Sequence, residues 1–188
     1  MSDTLRFEIA DSLRDVSPAR WDALTEGHPL LSHAFLHALH ESGSACERTG
    51  WAPRYLLLRD GEDLRGAVPL YLKVHSYGEY VFDWAWADAW HRAGREYYPK
   101  LLCAIPFTPV TGPRLLARDA ATRTHLLAGV LQLAREAEAS TFHCLFPPEG
   151  EASAMEEAGL MRRRTVQFHW HNPGYASFDD FLATMNHE

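Results

Sequence analysis

Asp83 and Asp88 stand five residues apart in the run YVFDWAWADAW, with Trp84 and Trp86 between them. On a helix two carboxylates at that spacing point in different directions, whereas in an extended segment both can line one cleft. A carboxylate beside a substrate amine can orient it or take its proton, the task that acyl transfer to nitrogen requires. Both residues also suit capping of the helix that would carry Trp90 and His91. Lys100, framed by Tyr97, Tyr98 and Pro99, is a candidate for holding a phosphate or carboxylate of an acceptor; the alternative is a lysine whose stem packs while its ammonium reaches water. Thr108, Thr111 and Arg114 follow in PFTPVTGPRLLA, read as a strand whose prolines release backbone groups from the ladder and leave room for a ligand. The Arg114 fork matches an anionic group bidentately.

These residues fall in one stretch, Tyr77 to Leu116, which holds three of the six tryptophans and four of the seven tyrosines. Rings with polar edges beside fixed charges suit a cleft for a polar, partly planar or extended ligand, with Tyr77, Trp84, Trp86 and Tyr98 as its aromatic wall. The competing reading is a core insertion whose rings are buried. Other chemistries have less support. The eleven histidines invite a metal, but His169 and His171 lack a Cys, Asp or Glu at ligand spacing, and His33, His37 and His40 read as a polar helix face. No metal is expected. Cys46, Cys103 and Cys144 are odd in number and irregularly spaced, so they mark neither a disulfide framework nor a zinc site. No nucleophile triad, Walker loop or dinucleotide fingerprint occurs.

Positioning such a site takes a core, and 188 residues with 46% hydrophobic and 23% charged side chains describe a globular domain that can build one. A net charge of −7 argues against general nucleic-acid binding, and the triplet Arg162–Arg164 reads as a solvated flank. No apolar run approaches the roughly 20 residues of a bilayer span, and the first residues lack the apolar core of a secretion signal, so a cytoplasmic protein is expected.

The elements follow from periodicity and punctuation. Leu5–Ile9 reads as a strand, and a helix starts at Ser17 with Pro18 in its first turn and Trp21 and Leu24 inward. Ser32 caps a second helix carrying Phe35, Leu36 and Leu39, ended by Gly43. RYLLLRDGEDLRGAVPLYLKVHS reads as two strands around an Asp60-Gly61 turn, with Pro69 marking an edge or bulge. Asp119 caps a long helix with Leu126, Val130, Leu133, Ala134 and Ala137 at helical spacing. TFHCLF is a short buried strand, ASAMEEAGL a helix closed by Gly159, and TVQFHWH an alternating strand. Ser177 and Asp180 stand in capping-box positions before a last helix.

That order predicts an α/β (α+β) fold, a GNAT-like mixed and mostly antiparallel sheet flanked by helices. The runs YVFDWAWADAW, YYPKLLCAIPFTPVTGPRLL and HWHNPGYASFDDFLATM make the resemblance specific: the chain resembles the FemAB-like family of predicted N-acyltransferases, the peptidoglycan biosynthesis/recognition proteins. The resemblance implies two tandem GNAT-like domains, of which residues 1–172 are the first and 173–188 a helix leading into a second, missing one. It also implies an acyl-CoA or aminoacyl donor held in the second domain and a small-molecule or peptide-like acceptor. This agrees with VTGPRLLARDAATRT, where a single glycine, Gly112, precedes the long helix and no glycine-rich phosphate loop is present. Two functions are therefore expected as alternatives: the acceptor-binding half of an N-acyltransferase, or a non-catalytic GNAT-like binding module. Without the second domain, apolar surface around TVQFHWH and the last helix is expected to favour a homodimer or self-association.

Overall fold

The computed structural model describes residues 5–185. Eight strands and six α-helices follow one another as β1 (Leu5–Ala10), α1 (Pro18–Asp22), α2 (His33–Glu41), β2 (Ala52–Pro53), β3 (Tyr55–Asp60), β4 (Asp63–Val68), β5 (Leu70–Lys73), α3 (Trp84–Arg92), β6 (Lys100–Cys103), β7 (Leu116–Ala117), α4 (Ala120–Glu136), β8 (Phe142–Cys144), α5 (Glu149–Glu157) and α6 (Phe178–Leu182). The fold is mixed α/β. One half-sheet has the order β1-β3-β4-β7, all antiparallel; the other has the order β2-β5-β6-β8, antiparallel except for the parallel pair β6–β8.

The two halves are continuous through their middle strands. β2 runs into β3 across Arg54, and β4 runs into β5 across Pro69. Pro69 has no N–H to give the ladder, which explains the break, while the Arg54 N–H donates to Leu70 O at 2.8 Å and bridges the joint. The β3–β4 hairpin closes with Asp60 opposite Asp63, and Gly61 takes the left-handed conformation (φ +58°) that this tight connection demands.

Strand alternation sorts the core into two faces. Tyr55, Leu57, Tyr71 and Leu102 point to the side covered by α1 and α2, where they meet Trp21, Leu24, Leu31, Leu36 and Trp51. Leu56, Leu58, Leu70, Leu101 and Cys103 point the other way, onto Leu126, Leu127, Val130 and Leu133 of α4 and Met155 of α5. Because both faces are covered, the β3 run YLLL is apolar at every position. The caps form as the sequence reads: Ser32 accepts from the Phe35 N–H, Asp119 from the Thr122 N–H, and Ser177 and Asp180 make a reciprocal capping box.

Five features differ from the sequence reading. PFTPVTGPRLLA forms a ladder only at Leu116–Ala117, since Pro106, Pro109 and Pro113 remove donors along it; the strand in this region is the earlier Lys100–Cys103. TVQFHWH pairs with no strand among the described residues and lies exposed, with Phe168 at 98%. His33 does not share a polar helix face: it is buried and its Nε2 lies 2.8 Å from Leu13 O. Cys144 is half-buried rather than enclosed. Arg162 is likewise engaged, paired with Glu149 and Glu156.

Candidate active site

Strand register creates the site. Lys73 and Lys100 are direct cross-strand partners in β5 and β6, and alternation puts both on the face of Tyr71 and Leu102. Both ammonium-bearing side chains are fully buried. Two like charges opposite one another inside a sheet are unfavourable, and the residues between β5 and β6 supply the compensation. Glu79, from the loop before α3, and Asp83, at the N-cap position of α3, reach down to Lys100. The Lys100 ammonium donates to Glu79 Oε2 at 2.8 Å, to Asp83 Oδ2 at 2.6 Å and to Ser76 Oγ at 2.8 Å, which uses all three of its N–H bonds. The Lys73 ammonium donates to Tyr77 O at 3.2 Å and lies 3.7 Å from the centre of the Trp51 ring, a cation–π contact.

Tyr97 and His143 complete the cluster. The Tyr97 hydroxyl donates to Asp83 Oδ2 at 2.8 Å, and His143 Nε2 lies 3.4 Å from the same hydroxyl. Burial weighs on the ionisation of Lys73, His143, Glu79 and Asp83. It lowers Lys73 to about 7, with Lys100 adding repulsion and Glu79 and Asp83 offsetting it in part. It lowers His143 to about 4, helped by Lys100, so the ring is neutral. It raises Glu79, against the pull of Lys100. Burial would raise Asp83 as well, but hydrogen bonds from Lys100, Ser76 and Tyr97 outweigh it and hold that carboxyl at about 2.

The loop and helix that carry Glu79 and Asp83 also present an exposed aromatic apron. Tyr77, Tyr80, Phe82, Trp84 and Trp86 are all exposed, and the Tyr77 ring packs on that of Trp84 at 5.2 Å. The connecting loop is conformationally costly: Gly78, Tyr80 and Phe82 all have positive φ, which a residue with a Cβ rarely adopts. At Gly78 a Cβ would also stand 2.6 Å from the Phe107 ring.

The residues singled out in the sequence thus separate into three groups. Asp83, Lys100 and Tyr98 belong to the cluster, the last through its hydroxyl 2.8 Å from Ser76 Oγ. Tyr77, Trp84 and Trp86 lie on the apron. Asp88, Thr108 and Arg114 join neither. Asp88 is exposed on α3 and pairs with Arg92 at 3.3 Å, because five helical residues carry it away from Asp83. Thr108 bonds locally to Pro106 O. Arg114 is fully buried and its guanidinium donates to the carbonyls of Val110, Gly112, Pro113 and Leu145, so no fork remains for a substrate. Nor does Lys100 snorkel to water. Sequence reasoning missed Lys73, Ser76, Glu79, Tyr97 and His143. For Lys73 a signal existed: in LYLK it occupies the inward register of Tyr71.

A family model described as peptidoglycan biosynthesis/recognition, FemAB-like, matches residues 12–188. The chain belongs to the FemAB-like family. Among solved structures it is similar to a Trypanosoma brucei acetyltransferase at 13% identity, over 89% of this chain and 99% of that one, with a TM-score of 0.48, a likeness too distant to bear on fold or activity. No curated protein matches the chain significantly. In this FemAB-like chain the metal-ligand types that converge among the described residues are Glu79, Asp83 and His143, and Lys100 already stands against both carboxylates. The described residues contain no helix long and apolar enough to cross a membrane.

Proposed function

We propose that this FemAB-like chain supplies the acceptor-binding wall of an N-acyltransferase that moves an acyl or aminoacyl group onto an amine. The observation that carries the reading is the buried Lys73–Glu79–Asp83–Lys100 cluster joined, through the same loop and helix, to solvent-exposed aromatic side chains, an arrangement that combines apolar surface with groups of shifted ionisation. Tyr77, Trp84 and Trp86 hold the body of the acceptor. Asp83, ionised down to about 2, is too weak a base to take a proton near neutral pH and serves to orient its neighbours. Glu79, raised by burial, is the carboxylate better matched to carrying the proton that an amine sheds as its new bond to the acyl carbon forms.

The donor belongs elsewhere in this reading. A CoA pyrophosphate would seek the N-terminus of α4, but there the Asp119 carboxylate already accepts from both the Thr122 N–H and hydroxyl, and Pro113 lacks a donor. The residues present do not fit that group. Residues 1–172 therefore act as one GNAT-like unit whose donor groove lies in a second such unit. The same capped helix favours the other reading, a binding module without turnover.

Consumption of acetyl-CoA or of an aminoacyl donor in the presence of an amine acceptor distinguishes the two, measured with this chain alone and with a second FemAB-like unit supplied. Turnover is expected only with both. Trp84→Ala and Trp86→Ala, at side chains about half exposed, should then lower turnover at least tenfold while leaving the melting temperature within a few degrees. Turnover by this chain alone contradicts the division of labour, and unimpaired apron variants contradict the acceptor wall.

A further inference from the structure

Two of the three cysteines, far apart in sequence, are brought side by side by the sheet. Cys103 of β6 and Cys144 of β8 are direct partners in the parallel ladder, and the Leu145 N–H donates to Cys103 O at 2.9 Å, which fixes the register at that pair. Alternation turns both side chains to the same face, where Cys103 lies in the core under α4 and Cys144 packs against that core. Neighbouring strands run about 4.8 Å apart, inside the roughly 4.4–6.8 Å between Cα atoms that a disulfide spans. The two side chains also interact: burial first, and then a hydrogen bond with the Cys144 side chain, raise the Cys103 thiol well above its usual range.

Their surroundings differ. Cys103 is fully buried, its Sγ donating to Arg114 O at 3.7 Å, whereas Cys144 is partly exposed and lies on the edge strand of its half-sheet. A small oxidant therefore meets Cys144 first, and a second thiol stands directly beside the product. A metal is the other occupant that two cysteines suggest, but a thiolate site closes with further ligands. Among the described residues no His, Asp or Glu converges with this pair, and the group of ligand types that does converge is Glu79, Asp83 and His143. Cys46 lies outside both half-sheets, in the connection after α2, with its Sγ donating to Gly43 O at 3.3 Å.

We propose that Cys103 and Cys144 are a reversible dithiol–disulfide pair, a site of peroxide oxidation that ties β8 to β6. The peroxide O–O bond breaks as the Cys144 sulfur takes one oxygen, which gives a sulfenic acid and, with the thiol proton, one water. The Cys103 sulfur then attacks the Cys144 sulfur, the S–O bond breaks, and the Cys103 proton leaves with the hydroxide as a second water. Two thiols thus lose two hydrogens and one peroxide becomes two waters. A small-molecule dithiol reverses the step by thiol–disulfide exchange. β8 has only three residues and an open side, so it can draw toward β6 until the sulfurs reach bonding distance, and a bond closed under strain is readily reduced. The link would clamp together the strand that begins with Lys100 and the strand that carries His143, whose side chains lie on the opposite face. Nothing in this inference depends on acyl transfer.

The test treats the intact, folded chain with hydrogen peroxide and reads whole-chain mass and a non-reducing peptide map. A mass lower by two hydrogens is expected, with the peptides holding Cys103 and Cys144 joined, and dithiothreitol should restore the parent mass. Cys46→Ser should behave as the parent. Cys144→Ser should lose the two-hydrogen shift, and Cys103→Ser should instead accumulate a sulfenic acid at Cys144 that dimedone traps, at least tenfold above the parent. If Cys103→Ser does not fold at its enclosed position, the peptide map of the parent together with Cys144→Ser decides. No reaction with peroxide, oxygen added at Cys144 without a cross-link, a link made through Cys46, a two-hydrogen loss that survives in Cys144→Ser, or a link that forms only after unfolding in urea would each overturn the proposal.

Discussion

Lys100→Met removes the one cation that holds both buried carboxylates, and its cost can be worked from the contacts. Three hydrogen bonds of 2.6–2.8 Å disappear, to Ser76, Glu79 and Asp83. Two ionised carboxylates are left facing each other without water, and breaking a buried ion pair from one side costs about 3–5 kcal/mol. Lys73 relieves part of this, because losing its cationic neighbour lets its own charge return. The lower end, about 3 kcal/mol, is therefore expected, or a fall of about 6–12 °C in melting temperature for a domain of this size. The pH dependence identifies the cause. In the parent, Asp83 is held at about 2 against an ordinary 3.8, so its stabilising contribution is complete above about pH 4 and lost as pH falls toward 2. In the variant both carboxyls are raised, so the penalty is greatest at pH 7 and shrinks as the solution is acidified through pH 5 and they protonate. Thermal melts of parent and variant from pH 4 to 8 measure this, and Lys100→Met/Glu79→Gln should recover part of the loss at pH 7. A drop below 2 °C at pH 7, or one that does not change with pH, would refute the argument.

Arg114→Lys should cost about 3 kcal/mol, since a lysine cannot reach four carbonyls at once and some remain buried without donors; chemical denaturation at constant m-value checks it. Asp88→Asn, at an exposed helical pair, should change stability by less than about 0.5 kcal/mol and leave acceptor binding intact. Val166, Phe168 and Trp170 are all exposed along one unpaired segment, and this chain should self-associate through it; Phe168→Lys should shift sedimentation toward the monomer, and a parent that stays monomeric at high concentration would contradict the expectation.

What could be read from the sequence followed periodicity and local chemistry. Ser32, Asp119 and Ser177 announce their helices because an N-cap oxygen acts within three residues, and the Asp60-Gly61 turn fixes its hairpin in the same local way. The cluster could not be read so. Its members come from β5, the following loop, the cap of α3, β6 and β8, and the bond from Tyr97 to His143 spans 46 positions. Arg114 shows the reverse difficulty: an arginine next to Pro113 has the type expected of a ligand contact, and only the path of the surrounding loop turns its donors onto carbonyls. TVQFHWH alternates as a strand should, yet alternation specifies a face and not a neighbour, and among the described residues no strand stands beside it.

The distribution of cost across the fold is itself informative. The face of the sheet under α4 is apolar and its helix repeats at regular spacing, so local propensity, pattern and packing agree there. On the opposite face the agreement fails most heavily at the β5–β6 lysine pair. Two lysines are paired across β5 and β6, two carboxylates are buried to neutralise one of them, two oxygens lack donors, and the loop supplying Glu79 holds Tyr80 and Phe82 in left-handed conformations costing of order 1 kcal/mol each or more. Well-packed hydrophobic residues would serve stability at least as well as a buried ion cluster. A chain that brings two unsatisfied carboxylate oxygens, shifted ionisation and exposed rings to one segment is arranged there for something that is not folding.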